Sequence, residues 1–534
     1  MQKSSPGGGR PMPSRPSHDL GMPGQRRSFT RHWISGLAGL AFLAVCLSIG
    51  LTLADEPAPV RGVVLAAEGK PAEGARVRWQ GGAVAVSTDA EGAFTLHGVG
   101  RRVTAWKQGY FIAGQAATRS ALQLRLRPLP DQDNLDYEWV DPRPDRRHED
   151  RCGNCHSTIH DEWAASAHAR SAGNRRFLNL YEGSDWHGRP NVGWNLLAEH
   201  PLGAGVCTAC HAPTASERGV REDIRKVAGV DALGVHCDFC HKIAEASSER
   251  LGLSHGRFGY DLLRPTQGQL FFGPLDDVDR NEDTFAPLYK ESRYCAACHE
   301  GTIFGVPVYT TYSEWLDSPA RREGKHCQSC HMTPTGTLTN IAPGKGGIPR
   351  DPLTLSSHAM PGATPEMLRR AVNLKVHCDE LLGEAQVKVE VAAGDVGHRV
   401  PTGFIDRQLI LSIEGVGQTG RQVEATSGPL LSPLAGLGEN RAGLFFAKQL
   451  EDLDGQAPVP FWKPCRIRAD TRLKPGEPAE ASWTFPAEGL AGVRIRLIYR
   501  RFHAEVQQAK AWPDDAICII DQVVAVPPNH RWGR

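Results

Sequence analysis

The chain has 534 residues with a formal net charge of +1, and it contains fourteen cysteines. Nearly equal basic and acidic totals give no global field that would draw nucleic acid or anionic lipid, so no nucleic-acid partner is expected. The length exceeds what one hydrophobic core supports, and several domains are expected.

Residues 1–31 are rich in Ser, Pro and Gly and carry Lys3, Arg10, Arg15, Arg26, Arg27 and Arg31 against Asp19 alone. They read as a disordered basic tail left in the cytoplasm. Residues 32–54 follow, and Trp33 to Ala54 hold no charge; about 22 residues at 1.5 Å each span a bilayer core. Two readings stand, a retained membrane helix or a signal segment cut near Ala54. The preferred one is the retained helix, which places the chain in the cell inner membrane as a single-pass protein with its bulk facing the periplasm. Arg26-Arg27-Ser28-Phe29 also has the look of a twin-arginine export signal.

Residues 58–128 read as short alternating strands at 61–65, 75–79, 83–87, 93–96 and 103–106, with turns at Gly69 and Thr88 to Gly92, and predict a small β-sandwich. With its T-D-x-x-G-x-F pattern at Thr88 to Phe94 and Gly109-Tyr110, this stretch resembles the carboxypeptidase regulatory-like domain. The resemblance implies a spacer or docking module without chemistry of its own. Residues 129–150, rich in Pro, Asp and Arg, form a linker.

Residues 151–375 hold five copies of C-x-x-C-H: Cys152, Cys155 and His156; Cys207, Cys210 and His211; Cys237, Cys240 and His241; Cys295, Cys298 and His299; Cys327, Cys330 and His331. Composition alone would produce about 0.014 copies. Two thiols three positions apart can each add to a porphyrin vinyl group, and the next imidazole then lies under the iron. Five covalent haems c are expected. Zinc ribbons or disulfides would use the same cysteine pairs, but neither needs a histidine after every second cysteine. Cys207 and Cys237 are 30 apart and Cys295 and Cys327 are 32 apart, so the region looks like a duplicated two-haem unit behind a leading single haem. It should be mainly α-helical or irregular, with the cofactors as its core.

A second axial histidine makes a haem an electron carrier, whereas an open face can bind substrate. His168 is a candidate for such a ligand, in the stretch Glu162-Trp163-x-x-Ser166-x-His168. A related stretch at Glu314-Trp315-x-x-Ser318 has Ala320 where the histidine would be. His255, between the two haem pairs, is a further candidate. His160, His187, His200, His236 and His326 are read as ordinary hydrogen-bonded or solvated histidines.

From about residue 150 to the C-terminus the chain resembles the multihaem cytochrome c family that includes the tetrahaem electron-transfer cytochrome of nitrifying bacteria. Besides the first motif with its E-W-x-x-S-x-H, the matching stretches are 234–242, 272–277, 328–332, Ser357 to Gly362 and Gly397 to Gly403. The resemblance implies that His168, His358 and His398 are second axial ligands. The pentahaem ammonia-forming nitrite reductases use C-x-x-C-K at their active haem, a motif missing here.

Residues 376–534 return to alternation, at 387–391, 409–413, 481–485 and 493–497, and predict a second β-rich domain that lends His398 to a haem. Of the four remaining cysteines Cys46 lies in the apolar segment, and for Cys378, Cys465 and Cys518 one bridge with one free thiol is expected. Three functional readings follow. The first is electron transfer between redox partner proteins, with a membrane donor and a periplasmic acceptor. The second is reduction or oxidation of a small nitrogen or sulfur compound at a five-coordinate haem, and the third is a scaffold within a larger conduit.

Overall fold

The computed structural model describes residues 58–202, 205–218 and 223–527. The basic tail and the apolar segment at 32–54 lie outside the described residues. No helix among the described residues is long and apolar enough to cross a membrane. This corrects the expected single-pass placement in the inner membrane: the described helices are short, the motif-bearing ones four to seven residues long.

The described residues from 58 to 527 belong to one compact unit, built of several sheets with short helices between them. At its N-terminal end lie two small sheets. Val60–Leu65 pairs antiparallel with Ala93–Leu96 and parallel with Leu122–Arg125. The four-stranded sheet has the order Ala85–Ser87, Arg76–Trp79, Arg102–Trp106, Ala113–Ala116. Alternation explains the core: Val77 and Trp79 turn inward while Arg76 and Arg78 do not, and Val77, Phe94, Leu96, Val103 and Leu124 pack together. The outward arginines dock this unit on the loop before Asp283. Arg76 and Arg78 pair with Asp276 at 2.5 and 2.6 Å, Arg102 pairs with Asp279, and the Gln80 amide donates to Asp279 at 2.8 Å.

The middle region has little regular structure. Its helices Cys152–Cys155, Gly205–His211, Cys237–Cys240, Arg293–His299 and Cys327–His331 each carry one motif. Two-stranded sheets link them, such as Glu300–Ile303 with Val306–Thr310. Beside a small buried cluster that includes Phe239, Ile243, Tyr260 and Leu262 there is a cavity of about 1220 Å³, lined by every Cys and His of the five motifs.

The C-terminal region is a pair of larger sheets. Val372–Leu381, Glu384–Ala393 and Ala479–Pro486 form one. The other runs Cys465–Asp470, Gly443–Asp452, Gln408–Gly417, Leu490–Arg500, Ile517–Ala525, with Gln422–Val423 paired to Gln408–Gly417. Val387, Val389, Leu409, Leu411, Trp483, Val493 and Ile495 from both sheets share one buried cluster. The expected disulfide is absent, and Cys378, Cys465 and Cys518 are all free. Cys465 and Cys518 lie on opposite edge strands of one sheet, four strand spacings or about 19 Å apart, beyond the reach of a disulfide. Cys378 belongs to the other sheet. The segment between Ala393 and Gln408 leaves the sheets to carry His398 to the cavity.

Candidate functional site

Each motif folds as about one turn of helix, which brings the two cysteines to one side because residues three apart are neighbours on a helix. The five sites are adjacent to one another. Cys152 lies beside Cys237, Cys210 beside Cys298 and Cys295 beside Cys327, near enough for each thiol to perturb the other. Tyr289 and Tyr294 donate their hydroxyls to the Cys240 carbonyl at 2.6 and 3.0 Å, and Tyr294 belongs to the helix of the fourth motif. The attachment points therefore run first, third, fourth, fifth, with the second branching from the fourth.

Four of the five motif histidines share one orientation. Nδ1 of His156 meets the Ile341 carbonyl at 2.8 Å, that of His211 the Ser171 carbonyl at 3.0 Å, that of His241 the Phe272 carbonyl at 2.6 Å and that of His331 the Pro361 carbonyl at 2.7 Å. A carbonyl can only accept, so Nδ1 carries the proton and Nε2 keeps its lone pair for a metal. His358 and His398 do the same with the carbonyls of Ser356 and Arg399, at 3.2 and 3.0 Å, and Nδ1 of His168 meets the Met360 sulfur at 3.0 Å. Burial, above all, lowers the basicity of seven rings at the site. It pushes His299 down to about 3 and His358 to about 4, and it lowers His156, His168, His211, His241 and His398. Neutral imidazole is the form a metal requires.

Three motif histidines face a second imidazole. His168 and His299 have ring centres 6.3 Å apart with planes at 72°, His241 and His358 are 6.5 Å apart at 25°, and His331 and His398 are 6.3 Å apart at 23°. A metal–imidazole bond of about 2.0 Å on each side, with each ring centre about 1.1 Å behind its nitrogen, gives about 6.2 Å between centres. One iron therefore fits between the members of each pair. Among the described residues no such pairing involves His156 or His211, and the His211 ring stacks on Phe177 at 4.0 Å and 16°.

His255 stands elsewhere. Its Nε2 meets the Thr302 carbonyl at 3.1 Å, and its Nδ1 abuts Gly301, beside the fourth motif. His200 is held by the Trp462 carbonyl at 2.7 Å. His236 caps the motif helix that follows it by accepting from the Phe239 N–H, and Nδ1 of His326 accepts from the Ser292 N–H at 3.0 Å. His160 and His236 line the cavity with buried Nε2 atoms that lack a partner, available to the carboxylates a porphyrin brings. The residues present thus fit five haems c, each held by two thioethers and an axial imidazole.

No family model matches this sequence, and no curated protein does. A solved structure is similar: a penta-heme cytochrome c552 from Thermochromatium tepidum, with a TM-score of 0.51 and 23% sequence identity, over 70% of this chain and 97% of that one. At this identity the likeness is one of fold.

A buried ion pair that sequence reasoning missed supports the third motif. Lys242 and Asp238 are 2.5 Å apart and both fully buried, and Asp238 also accepts from the Tyr137 hydroxyl at 3.0 Å and the Val140 N–H at 2.9 Å. The linker is thereby fastened to the motif. The signal was an acid and a base at i and i+4 inside the motif string.

Proposed function

We propose that the chain is a pentahaem c-type cytochrome, with one haem c attached at each motif, and that it transfers electrons between redox partner proteins. The observation that carries this reading is the set of three opposed histidine pairs at 6.3–6.5 Å, each containing one motif histidine. His168, His358 and His398 are then the second axial ligands for the fourth, third and fifth motifs.

When bound, haem c supplies an iron that changes between the ferric and ferrous states. The chain does the rest. Neighbouring cysteines of the first and third, the second and fourth, and the fourth and fifth motifs would hold their haems close to one another, and backbone carbonyls fix the tautomer and direction of the axial rings. The small N-terminal unit, with its carboxypeptidase regulatory-like pattern, serves as a docked module.

A second reading, reduction or oxidation of a small nitrogen or sulfur compound at a five-coordinate haem, is favoured by one observation: neither His156 nor His211 has an opposing imidazole among the described residues. Electron paramagnetic resonance of the oxidised protein separates the two. Electron transfer alone predicts low-spin signals throughout, whereas an open haem adds a high-spin ferric signal. The angle between ligand planes sets the splitting of the iron d orbitals, so we expect two rhombic low-spin signals from the near-parallel pairs and one strongly anisotropic signal from His168 and His299. A denatured protein with no haem-linked peroxidase stain overturns both readings.

A further inference from the structure

The two E-W stretches occupy equivalent places. Glu162 and Trp163 lie on the helix Ser157–Ala165, and Glu314 and Trp315 on the helix Thr311–Leu316. The Trp163 indole N–H donates to the Val235 carbonyl at 2.8 Å, two residues before Cys237. The Trp315 indole donates to the Lys325 carbonyl at 2.8 Å, two residues before Cys327. The neighbouring glutamate in each case holds the loop that brings the facing histidine. Glu162 accepts from the backbone N–H of His358 at 2.7 Å. Glu314 accepts from the N–H of Arg399, next to His398, at 3.1 Å and from the Thr402 hydroxyl at 2.7 Å.

His358 faces His241 of the third motif, and His398 faces His331 of the fifth. One dyad of adjacent residues therefore grips both sides of one site, twice in the chain. The gripped peptides match as well: Gly234-x-His236-Cys237 and Gly324-x-His326-Cys327 have the same pattern, with φ of 69° at both glycines. At Gly234 a Cβ would lie 2.5 Å from the His168 carbonyl oxygen, so the turn demands glycine there.

We infer that Glu162 with Trp163, and Glu314 with Trp315, are positioning residues that clamp the attachment peptide and the facing-histidine loop of the third and fifth haems at a fixed separation and ring angle. Adjacent residues on one helix turn share a rigid backbone, so the two grips cannot move independently. The ring planes agree: the two clamped pairs are near parallel, at 25° and 23°, while His168 and His299, which have no such dyad, stand at 72°. Glu314 is itself fixed by Arg472 at 2.6 Å, both side chains being 6% exposed. The E-W repeat is thus a spacing device, and its first copy goes on to supply His168, which the second, with Ala320, does not.

This inference rests on the pentahaem reading, and the test keeps the two apart. Glu162→Ala and Glu314→Ala are made in the full holoprotein, with a haem stain, ferric paramagnetic spectra and carbon monoxide uptake after reduction as readouts. Each variant should lose one of the two rhombic low-spin signals and take up one more carbon monoxide per chain, and the double variant should lose both signals and take up two more. Glu162→Gln, which keeps a carbonyl acceptor, should restore the signal. If an Ala variant does not accumulate, Trp163→Phe and Trp315→Phe remove only the indole donor and should shift the same signals. Stained protein with both rhombic signals unchanged and no added uptake, in the Ala or the Phe variants, overturns the clamp. A chain that takes no stain overturns the pentahaem reading instead.

Discussion

The motif-bearing region and the C-terminal sheets solve the same problem of burying apolar surface by opposite means. Beyond Val372 the chain forms strands of up to eleven residues, and Val387, Leu411, Trp483 and Ile495 fill the space between two sheets with side chains alone. Between Cys152 and His331 the helices are one or two turns long and face a cavity of about 1220 Å³. One region is filled by side chains alone, while the other has only small apolar clusters around a space shaped for cofactors.

The largest effect should come from denying the chain its haems. Replacing all ten motif cysteines by serine leaves an apolar cavity of about 1220 Å³, far larger than the single-side-chain cavities that already cost about 2–5 kcal/mol each. A typical domain has only about 5–15 kcal/mol in total, so the region must collapse rather than stay open. Limited proteolysis of that variant should cut throughout 151–375 and spare the strands beyond 376. Protection across both regions would end the comparison.

The converse experiment acts on the other core. Trp483 is 1% exposed and its indole donates to the Pro429 carbonyl at 2.8 Å. Trp483→Ala should cost about 3–5 kcal/mol, seen as a lower denaturation midpoint by circular dichroism, while the haem absorption bands of the folded protein stay as they were. Bands that change in the native protein would mean that the two regions are not separable in this way.

The sequence made some of this plain and hid the rest, and the division is physical. Attachment is a local covalent requirement, so all five motifs could be read directly. Alternation is equally local, and the expected strands at 387–391, 409–413, 481–485 and 493–497 all lie inside longer observed ones. Which facing histidine meets which motif depends on how loops return. His168 reaches His299 and His358 reaches His241 across more than a hundred residues, with no periodicity to mark it. The Glu-Trp repeat was visible as a string, yet its purpose lies in partners at Val235, His358, Lys325 and Arg399. Counting cysteines suggested a bridge, yet Cys465 and Cys518 stand at opposite sheet edges and Cys378 in another sheet, all three free, and the inner-membrane placement rested on a segment outside the described residues.

A smaller effect should appear where the two regions meet. Asp406 lies in the segment that carries His398 out of the sheets; it is 4% exposed, and its Oδ2 is buried without a partner. Burial pushes its carboxyl up to about 7. His503 has its Nε2 3.8 Å from Asp406 and is itself held down to about 4, chiefly by burial, so it brings no positive charge at neutral pH. The Cys465 thiol is raised in its turn by burial and by Asp406. A carboxyl whose folded pKa exceeds its unfolded value binds a proton more tightly in the folded state. Its contribution to stability is therefore full below about pH 4, is lost as pH rises towards 7, and changes no further above that. At about 1.4 kcal/mol per unit the loss is at most about 4 kcal/mol, and relaxation around the carboxylate should leave roughly 1–3 kcal/mol. Asp406→Asn should flatten that slope in denaturant midpoints measured from pH 4 to 8 and raise the midpoint at pH 8. If the slope survives the substitution, the seam between sheets and haem region titrates through some other group.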